Sequence, residues 1–446
     1  MLKRDINCLI VGNNYLAYIL SIIGQQGRKG NLLLDDDRVN LGSEWKNHIG
    51  VLERKYLENL GNRYGIGSLE KIGNYLELSS LIISFDKKFF YATESISLNF
   101  KEVFRRFPDL VGPSLIEAMN CLAFSDVDFD QEASLIIKKL EVKEGKIVLE
   151  NSKLQKLITL LFDNYNNSTD LNVKHFWQYV ELLFQQKISK DHTLDEFTHL
   201  VLALISPRYI INEKKLIKDL KNELVNKGGL FKNAHISNWQ FIKKKVSYLE
   251  LNSFEGVIRP ESVYFVGKPN VVMPIRMRSI GPVYTMAHLK IEHLKKADTI
   301  FKDLHNVFIT YFPFERWGKD IFFTRIALSS DGATAKVIFP LGKGVRSKFY
   351  LSDMKKIVFE ILNSIALSNL NETEILKSIS IVEEETFDEF IDLRKFKDHK
   401  KQNRKFLITE FNHPQLGHQI NNIVYLGPRK YYSYGVLSQF REIINI

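Results

Sequence analysis

The chain has 446 residues, of which 45% are hydrophobic and 12% aromatic, and its formal net charge at pH 7 is +10. This length exceeds one simple core and predicts two closely packed domains. Two cysteines are too few for a disulfide framework or a cysteine-ligated metal site, and the longest apolar stretch, residues 15–23, is about half of a ~20-residue membrane span. We therefore expect a cytoplasmic protein without a membrane span and without a metal.

The positive charge is spread along the chain. Its densest basic run, residues 394–405, closely follows an acidic run at residues 383–390. Neighbouring runs of opposite sign neutralise each other locally, and most such runs are solvated loops or helix faces. We expect no nucleic-acid partner, and the sequence leaves the role of the basic segment open.

The first elements form a β-α-β unit. Residues 6–11 are continuously apolar and predict a buried strand, residues 15–26 have helical length, and residues 31–36 predict a second strand. Strands joined through a helix run parallel, so the pattern predicts an α/β fold.

The rest of the chain alternates between helical and strand-like segments. In chain order the pattern predicts a hairpin at 77–85 and 89–94, helices through 96–205, an amphipathic helix and two short strands within 206–251, another strand pair whose second member is 262–267, several strands within 272–350, a helix at 352–368, a buried strand at 422–427 and a terminal helix at 435–444.

The turn after the first strand has the spacing of a dinucleotide-binding motif. Such a fold needs glycines there, because the backbone must approach a pyrophosphate that rests on the amino end of the following helix. Gly12 holds the first glycine position, Asn14 the second, and Ala17 the third, where a small residue is permitted. Asp35 ends the second strand, where a carboxylate accepts hydrogen bonds from a ribose. Only the middle glycine is lost.

The order of these features resembles the flavin-binding two-domain superfamily that includes amine oxidases, phytoene desaturases, UDP-galactopyranose mutase and the Rab GDP-dissociation inhibitors. In that superfamily a glycine pair follows the acidic residue, and Leu41 and Gly42 stand at those positions here. Residues 208–236 are similar to the helix and return strand of the flavin domain. The resemblance implies that the backbone near Ile236 borders an adenine.

The carboxyl end resembles the mutase-like branch of the superfamily, in which a glycine and an arginine precede a tyrosine-rich segment beside the flavin. Gly427, Tyr432 and Tyr434 fall at matching positions. Pro428 stands where the arginine is expected, and Arg429 is adjacent to it.

The resemblance implies a Rossmann-like FAD/NAD(P)-binding domain with an inserted mixed α+β domain. We expect the nucleotide-binding domain to comprise residues 1–75, 206–270 and 406–446, and the inserted substrate or partner domain residues 76–205 and 271–405. The implied cofactor is FAD, and the residues expected to hold it are Gly12, Asn13, Asn14, Ala17, Asp35, Gly42, Ile236, Gly427, Arg429, Tyr432 and Tyr434.

Two functions remain open at this point. Asn14, Leu41 and Pro428 depart from the pattern at separate flavin contacts, which favours a diverged, noncatalytic relative that binds a small molecule or a protein partner, as the Rab inhibitors do. The alternative is an active FAD-dependent oxidoreductase or a mutase-like enzyme, which gains from Asp35 and the tyrosines. The sequence identifies no catalytic residue, and His413 and His418 lie beside a Pro- and Gly-containing loop that does not suggest a metal pair.

Overall fold

The computed structural model describes residues 2–27, 30–37, 48–85, 88–123, 129, 131–133, 135–136, 152–184, 193–242, 245–252, 254–266, 284–312, 323–340, 348–387, 411–413, 418–420 and 422–426. Several predictions lie outside these residues. They are the positions Leu41, Gly42, Gly427, Pro428, Arg429, Tyr432 and Tyr434, the terminal helix at 435–444, and the basic segment 394–405.

The described strands and helices alternate along the chain, but residues 206–251 contain four strands where the sequence predicted two. The strands are β1 (Leu2–Val11), β2 (Asn31–Leu34), β3 (His48–Gly50), β4 (Leu76–Phe85), β5 (Lys88–Tyr91), β6 (Arg208–Ile211), β7 (Leu230–Lys232), β8 (Ile236–Ile242), β9 (Lys245–Leu251), β10 (Phe254–Val266), β11 (Tyr284–Ile291), β12 (Val307–Phe312), β13 (Phe323–Leu328), β14 (Ala333–Pro340), β15 (Ile379–Phe387), β16 (Phe411–His413), β17 (His418–Ile420) and β18 (Ile423–Leu426). The helices are α1 (Tyr15–Gly27), α2 (Val51–Tyr64), α3 (Gly67–Glu70), α4 (Ile96–Arg106), α5 (Leu115–Ala123), α6 (Lys153–Asn167), α7 (Leu171–Phe184), α8 (Leu194–Ile205), α9 (Glu213–Asn226), α10 (Lys348–Ile365) and α11 (Glu372–Ser378).

The first sheet has the strand order β7-β2-β1-β10-β9-β8, with β18 also beside β10. β1 is parallel to both β2 and β10, β2 is parallel to β7, and β10 is parallel to β18. The predicted β-α-β unit is confirmed. β1 begins earlier than the apolar run predicts, because its polar first residues also pair with β10 along the chain from Leu2 to Val11.

The prediction of a strand pair with residues 262–267 as its second member is wrong, because Phe254–Val266 forms the single long strand β10. Pro260 lies inside this strand, and it cannot donate a backbone hydrogen bond. In the structure β10 pairs with β9 up to Ile258 and with β18 from Val263. Pro260 therefore lies where β10 has β1 on one side and, within the described ranges, no strand on the other.

Helices α1 and α9 pack against each other beside the first sheet, and α1 contacts both β1 and β2. Tyr15, Tyr18 and Ile19 on α1 are buried, together with Ile10 and Leu33 from the strands. The opposite face of these strands forms a second core with the antiparallel strands β8 to β10. The amino end of α1 is thus held firmly at the carboxyl ends of β1 and β2.

The second sheet has the order β15-β11-β14-β13-β12-β4-β6-β3, and β5 pairs with β4. The β4–β5 hairpin is antiparallel, as predicted, with Ile82 opposite Tyr91. Ile82, Ile309 and Ile326 lie on one face in a core with α10 and α11. Residues that alternate with them, such as Ile83, lie on the other face with the helical core. None of the described helices combines the length and the apolar character that crossing a lipid bilayer requires.

Asn422, immediately before β18, completes the first sheet where β9 and β10 separate. Its side-chain oxygen accepts a hydrogen bond from the Val246 N–H at 2.8 Å, and its amide Nδ2 donates to the Val246 carbonyl at 3.0 Å. Its backbone carbonyl accepts a bond from Val263 N–H at 2.8 Å. The Asn422 side chain therefore bonds to the backbone of Val246 as a residue of a neighbouring strand would.

Replacing Asn422 with alanine is expected to lower the free energy of unfolding by about 2–4 kcal/mol, because two buried backbone groups of Val246 lose their partner. Urea denaturation measures this value. The exposed residue Asn120 provides a matched control, and Asn120→Ala is expected to change it by less than about 0.5 kcal/mol. Equal effects of the two substitutions would contradict the role of Asn422 in joining β9 to β10.

Candidate nucleotide-binding site

Gly12 makes the turn from β1 toward α1. Its N–H donates to the Leu34 carbonyl at 3.0 Å, and a Cβ at this position would collide with the Val266 carbonyl oxygen. The close approach of β10 therefore requires a glycine at this position, whether or not a nucleotide is present.

Asn14 stands at the position of the missing second glycine and is only 1% exposed. Its Oδ1 accepts a hydrogen bond from the Ala17 N–H at 3.1 Å, which caps the first turn of α1. Its Nδ2 donates to the Val266 carbonyl at 2.6 Å. The side chain thus joins the amino end of α1 to the carboxyl end of β10, and it uses one of the helix donors that an anion would otherwise contact.

Two further residues of the predicted motif lie in the same turn. Ala17 is fully buried in the first turn of α1, where its small side chain suits the close packing of the helix on the sheet. Asn13 is half-buried between Gly12 and Asn14.

Asp35 lies directly after β2, as predicted, and contacts side chains from two helices. Its Oδ2 accepts a hydrogen bond from the Tyr18 hydroxyl at 2.8 Å, and Lys221 Nζ on α9 is 3.9 Å from the same oxygen. Burial, and then the hydrogen bond to Asp35, raise the pKa of Tyr18, so the phenol is held protonated. The other carboxylate oxygen, Oδ1, is buried and has no hydrogen-bond partner among the described residues.

Ile236 begins β8 and lies in the buried core beneath the first sheet, with an exposure of 4%. The preceding residue, His235, forms two hydrogen bonds with Asn252. Its N–H donates to the side-chain Oδ1 of Asn252 at 2.8 Å, and its carbonyl accepts from the Asn252 N–H at 3.0 Å. His235 Nδ1 lies 3.0 Å from Oδ1 of the fully buried Asp36. Neighbouring acidic residues after β2 therefore have different partners.

The ligand atoms of Asp36, Asp37 and His235 lie within 4.8 Å of one another, which is the only such group of possible metal ligands in the described part of the chain. The contact between Asp36 and His235 is itself an ion pair when the imidazole is protonated. The sequence singled out none of these three residues.

The structure brings Gly12, Asn13, Asn14, Ala17 and Asp35 together at the carboxyl ends of β1 and β2. Sequence reasoning missed Tyr18, Lys221 and Val266. Tyr18 follows Asn14 by one helical turn, so helical spacing places it on the same side of α1. Lys221 and Val266 lie far along the chain, and only the tertiary structure identifies them as partners.

The β-α-β unit and the parallel strands around β1 define a Rossmann-like α/β fold, to which a mixed second sheet is added. No protein-family model matches the chain, and no curated protein matches its sequence.

Several solved structures align with this chain over most of its length. The Rab GDI from Plasmodium falciparum is 12% identical with a TM-score of 0.49, and the alignment covers 99% of this chain and 98% of that chain. The L-proline dehydrogenase from P. horikoshii is 9% identical with a TM-score of 0.41, covering 99% and 93%. The FAD-complexed glycerol-3-phosphate dehydrogenase from Bacillus halodurans is 8% identical with a TM-score of 0.43, covering 99% and 64%.

Replacing Asn14 with alanine is expected to lower the free energy of unfolding by about 2–3 kcal/mol, because α1 loses its cap and the Val266 carbonyl loses a buried donor. Asn14→Ser keeps a capping oxygen without reaching Val266, so we expect about half of that loss.

Asn371 gives a matched control, because its exposed side chain caps α11 through Thr373 and Glu374. Asn371→Ala should cost about 1 kcal/mol, as an ordinary cap does. Chemical denaturation of the variants measures the three values. If Asn14→Ala lowers the free energy of unfolding no more than Asn371→Ala does, the contact with Val266 adds nothing to stability.

Proposed function

We propose that this chain is a noncatalytic binding protein with a flavoprotein-like fold, in which the side chain of Asn14 replaces the cofactor pyrophosphate as the partner of helix α1. The observation that carries this proposal is the pair of hydrogen bonds from Asn14 to Ala17 and Val266. The fold then serves to present a surface to a small molecule or a protein partner.

The surroundings of Asn14 support this proposal. A dinucleotide fold uses a glycine at this position so that phosphate oxygens approach the backbone. Here a side chain with a Cβ and an amide occupies the position, is buried to 99% of its surface, and already satisfies the Ala17 N–H. The residues of this turn therefore do not fit the pyrophosphate of FAD in its usual place.

A second function is supported by one observation at Asp35. Its Oδ1 is buried without a hydrogen-bond partner among the described residues, and a ribose hydroxyl is the donor that such a position accepts in nucleotide-binding folds. This observation favours the alternative of an FAD-dependent oxidoreductase or a mutase-like flavoenzyme. In that case the flavin would supply the redox or nucleophilic chemistry, and this chain would bind and orient it.

An absorbance spectrum of the purified protein, followed by titration with FAD, tests the first proposal. We expect no flavin bands and no saturable binding of added FAD. Asn14→Gly should then bind FAD more tightly than the natural chain, because the substitution opens the turn. The cap loses only a few tenths of a kcal/mol, and the Val266 carbonyl loses its donor as it does in Asn14→Ala. Flavin bands at near-stoichiometric occupancy in the natural chain would overturn the noncatalytic proposal, and no gain in the variant would show that Asn14 is not the obstacle.

Replacing Asp35 with asparagine distinguishes the two functions, because the substitution keeps the size of the side chain and removes its charge. In a flavin-free protein the expected effect is a loss of stability of about 1 kcal/mol from the weakened contact with Tyr18. In a flavoprotein, FAD affinity should fall by about tenfold as well, since hydrogen bonds to charged groups contribute about 1.5–3 kcal/mol. Unchanged affinity in a flavin-loaded protein would contradict the ribose role of Asp35.

A further inference from the structure

The first sheet divides along β10, where one neighbouring strand leaves it and another joins it. β9 pairs with β10 up to Ile258, and β18 pairs with it from Val263. A cavity of about 550 Å³ lies at this division, and its volume is within the range of small-molecule sites. The polar residues that line it are Lys245, Ser247, Tyr248, Arg259, Glu261 and Asn422. We call this space the split-sheet cavity.

Tyr248 orients the side chain of Arg259 in the split-sheet cavity. The two residues occupy the positions next to the last pair of β9 and β10, which is Leu249 with Ile258. Arg259 Nη2 donates a hydrogen bond to the Tyr248 hydroxyl at 2.6 Å, and the guanidinium carbon lies over the Tyr248 ring, 4.6 Å from its centre. A guanidinium that is already oriented loses less conformational freedom when it binds a ligand.

The guanidinium of Arg259 keeps most of its hydrogen-bond donors for other partners. It carries five N–H groups, of which the Tyr248 hydroxyl accepts one. The buried Nε has no hydrogen-bond partner among the described residues. Arg259 is half-buried, yet within the described ranges it forms no ion pair with an acidic side chain. A partly desolvated cation without an acidic partner costs stability, and an anion in the cavity would reduce that cost.

The other charged side chains of the cavity are Lys245 and Glu261. Both are exposed, and both line the cavity with Arg259. The three side chains carry two positive charges and one negative charge, so their sum favours an anion. Glu261 opposes that anion, so its removal and the removal of Lys245 should change the affinity in opposite directions.

We propose that the split-sheet cavity binds the carboxylate or phosphate group of a small molecule. The planar guanidinium of Arg259 matches the oxygens of such a group, and Lys245 adds a second positive charge. The cavity is roughly 15–20 Å along β10 from Val266, because a strand rises about 3.3 Å per residue. It is therefore separate from the turn at Asn14, and the proposal stands whether or not FAD binds there.

Isothermal titration calorimetry of the full chain, without added flavin, tests this proposal. Sodium phosphate is the titrant in one arm and sodium malonate in the other, with the ionic strength held constant by sodium chloride. We expect saturable binding of at least one anion at one site per chain. Tighter binding of phosphate would indicate a phosphorylated ligand, and tighter binding of malonate a carboxylate ligand. The proposal is overturned if neither anion gives saturable binding.

Four variants locate the bound anion. Arg259→Gln should weaken binding at least about tenfold, which is the usual effect of losing a hydrogen bond to a charged group. Lys245→Gln should weaken it about two- to fivefold, and Glu261→Gln should strengthen it by a similar factor, as is usual for exposed charges. Lys302→Gln removes an exposed lysine from a turn outside the cavity and should leave the affinity unchanged.

Urea denaturation checks that each variant folds, because Arg259→Gln also removes the hydrogen bond to Tyr248. If that variant does not fold, the exposed positions Lys245 and Glu261 still decide the question through their opposite effects on affinity. Equal affinities of the Lys245, Glu261 and Lys302 variants would overturn the proposal. So would a folded Arg259→Gln variant that binds the anion as tightly as Lys302→Gln does.

Discussion

The parallel pairing of β1 with β10 is the constraint on which the candidate site depends. These strands come from distant parts of the chain, and their register from Leu2 to Val11 sets the carboxyl end of β10 beside the turn at Gly12. The proximity excludes a Cβ at Gly12 and brings the Val266 carbonyl within 2.6 Å of the Asn14 amide. The packing of two strands thus determines which side chains this turn accepts.

The turn also shows that residues of a nucleotide-binding motif have structural roles that do not require a cofactor. Gly12 is explained by the approach of β10, and Ala17 by the packing of α1, without any ligand. Asn14 gives the amino end of the helix an internal acceptor for the Ala17 N–H, one of the donors that bind phosphate in related architectures. A glycine at position 14 would leave this N–H for a ligand, whereas the asparagine side chain uses it within the protein.

The sequence predicted the parts of the fold that depend on local pattern. The β1-α1-β2 unit, the β4–β5 hairpin and the position of Asp35 after β2 follow from apolar runs, a polar turn and spacing. It missed the continuity of β10 through Pro260, because only the partner strands show that this residue lies between the part of β10 that pairs with β9 and the part that pairs with β18. The partners of Asn14 and Asp35 needed strand register and helix packing, which no local pattern contains. The division into 1–75, 76–205, 206–270, 271–405 and 406–446 remains a prediction.

The strand β18, which Asn422 precedes, is synthesised long after its partner β10. During translation β10 leaves the ribosome roughly 160 residues before β18, so at about 5–20 residues per second its edge from Val263 to Val266 waits ~10–30 s for a partner. An unpaired edge of this kind is a template for pairing with other chains. During this interval the nascent chain is open to aggregation through the exposed edge of β10. A chaperone that covers the edge would favour folding.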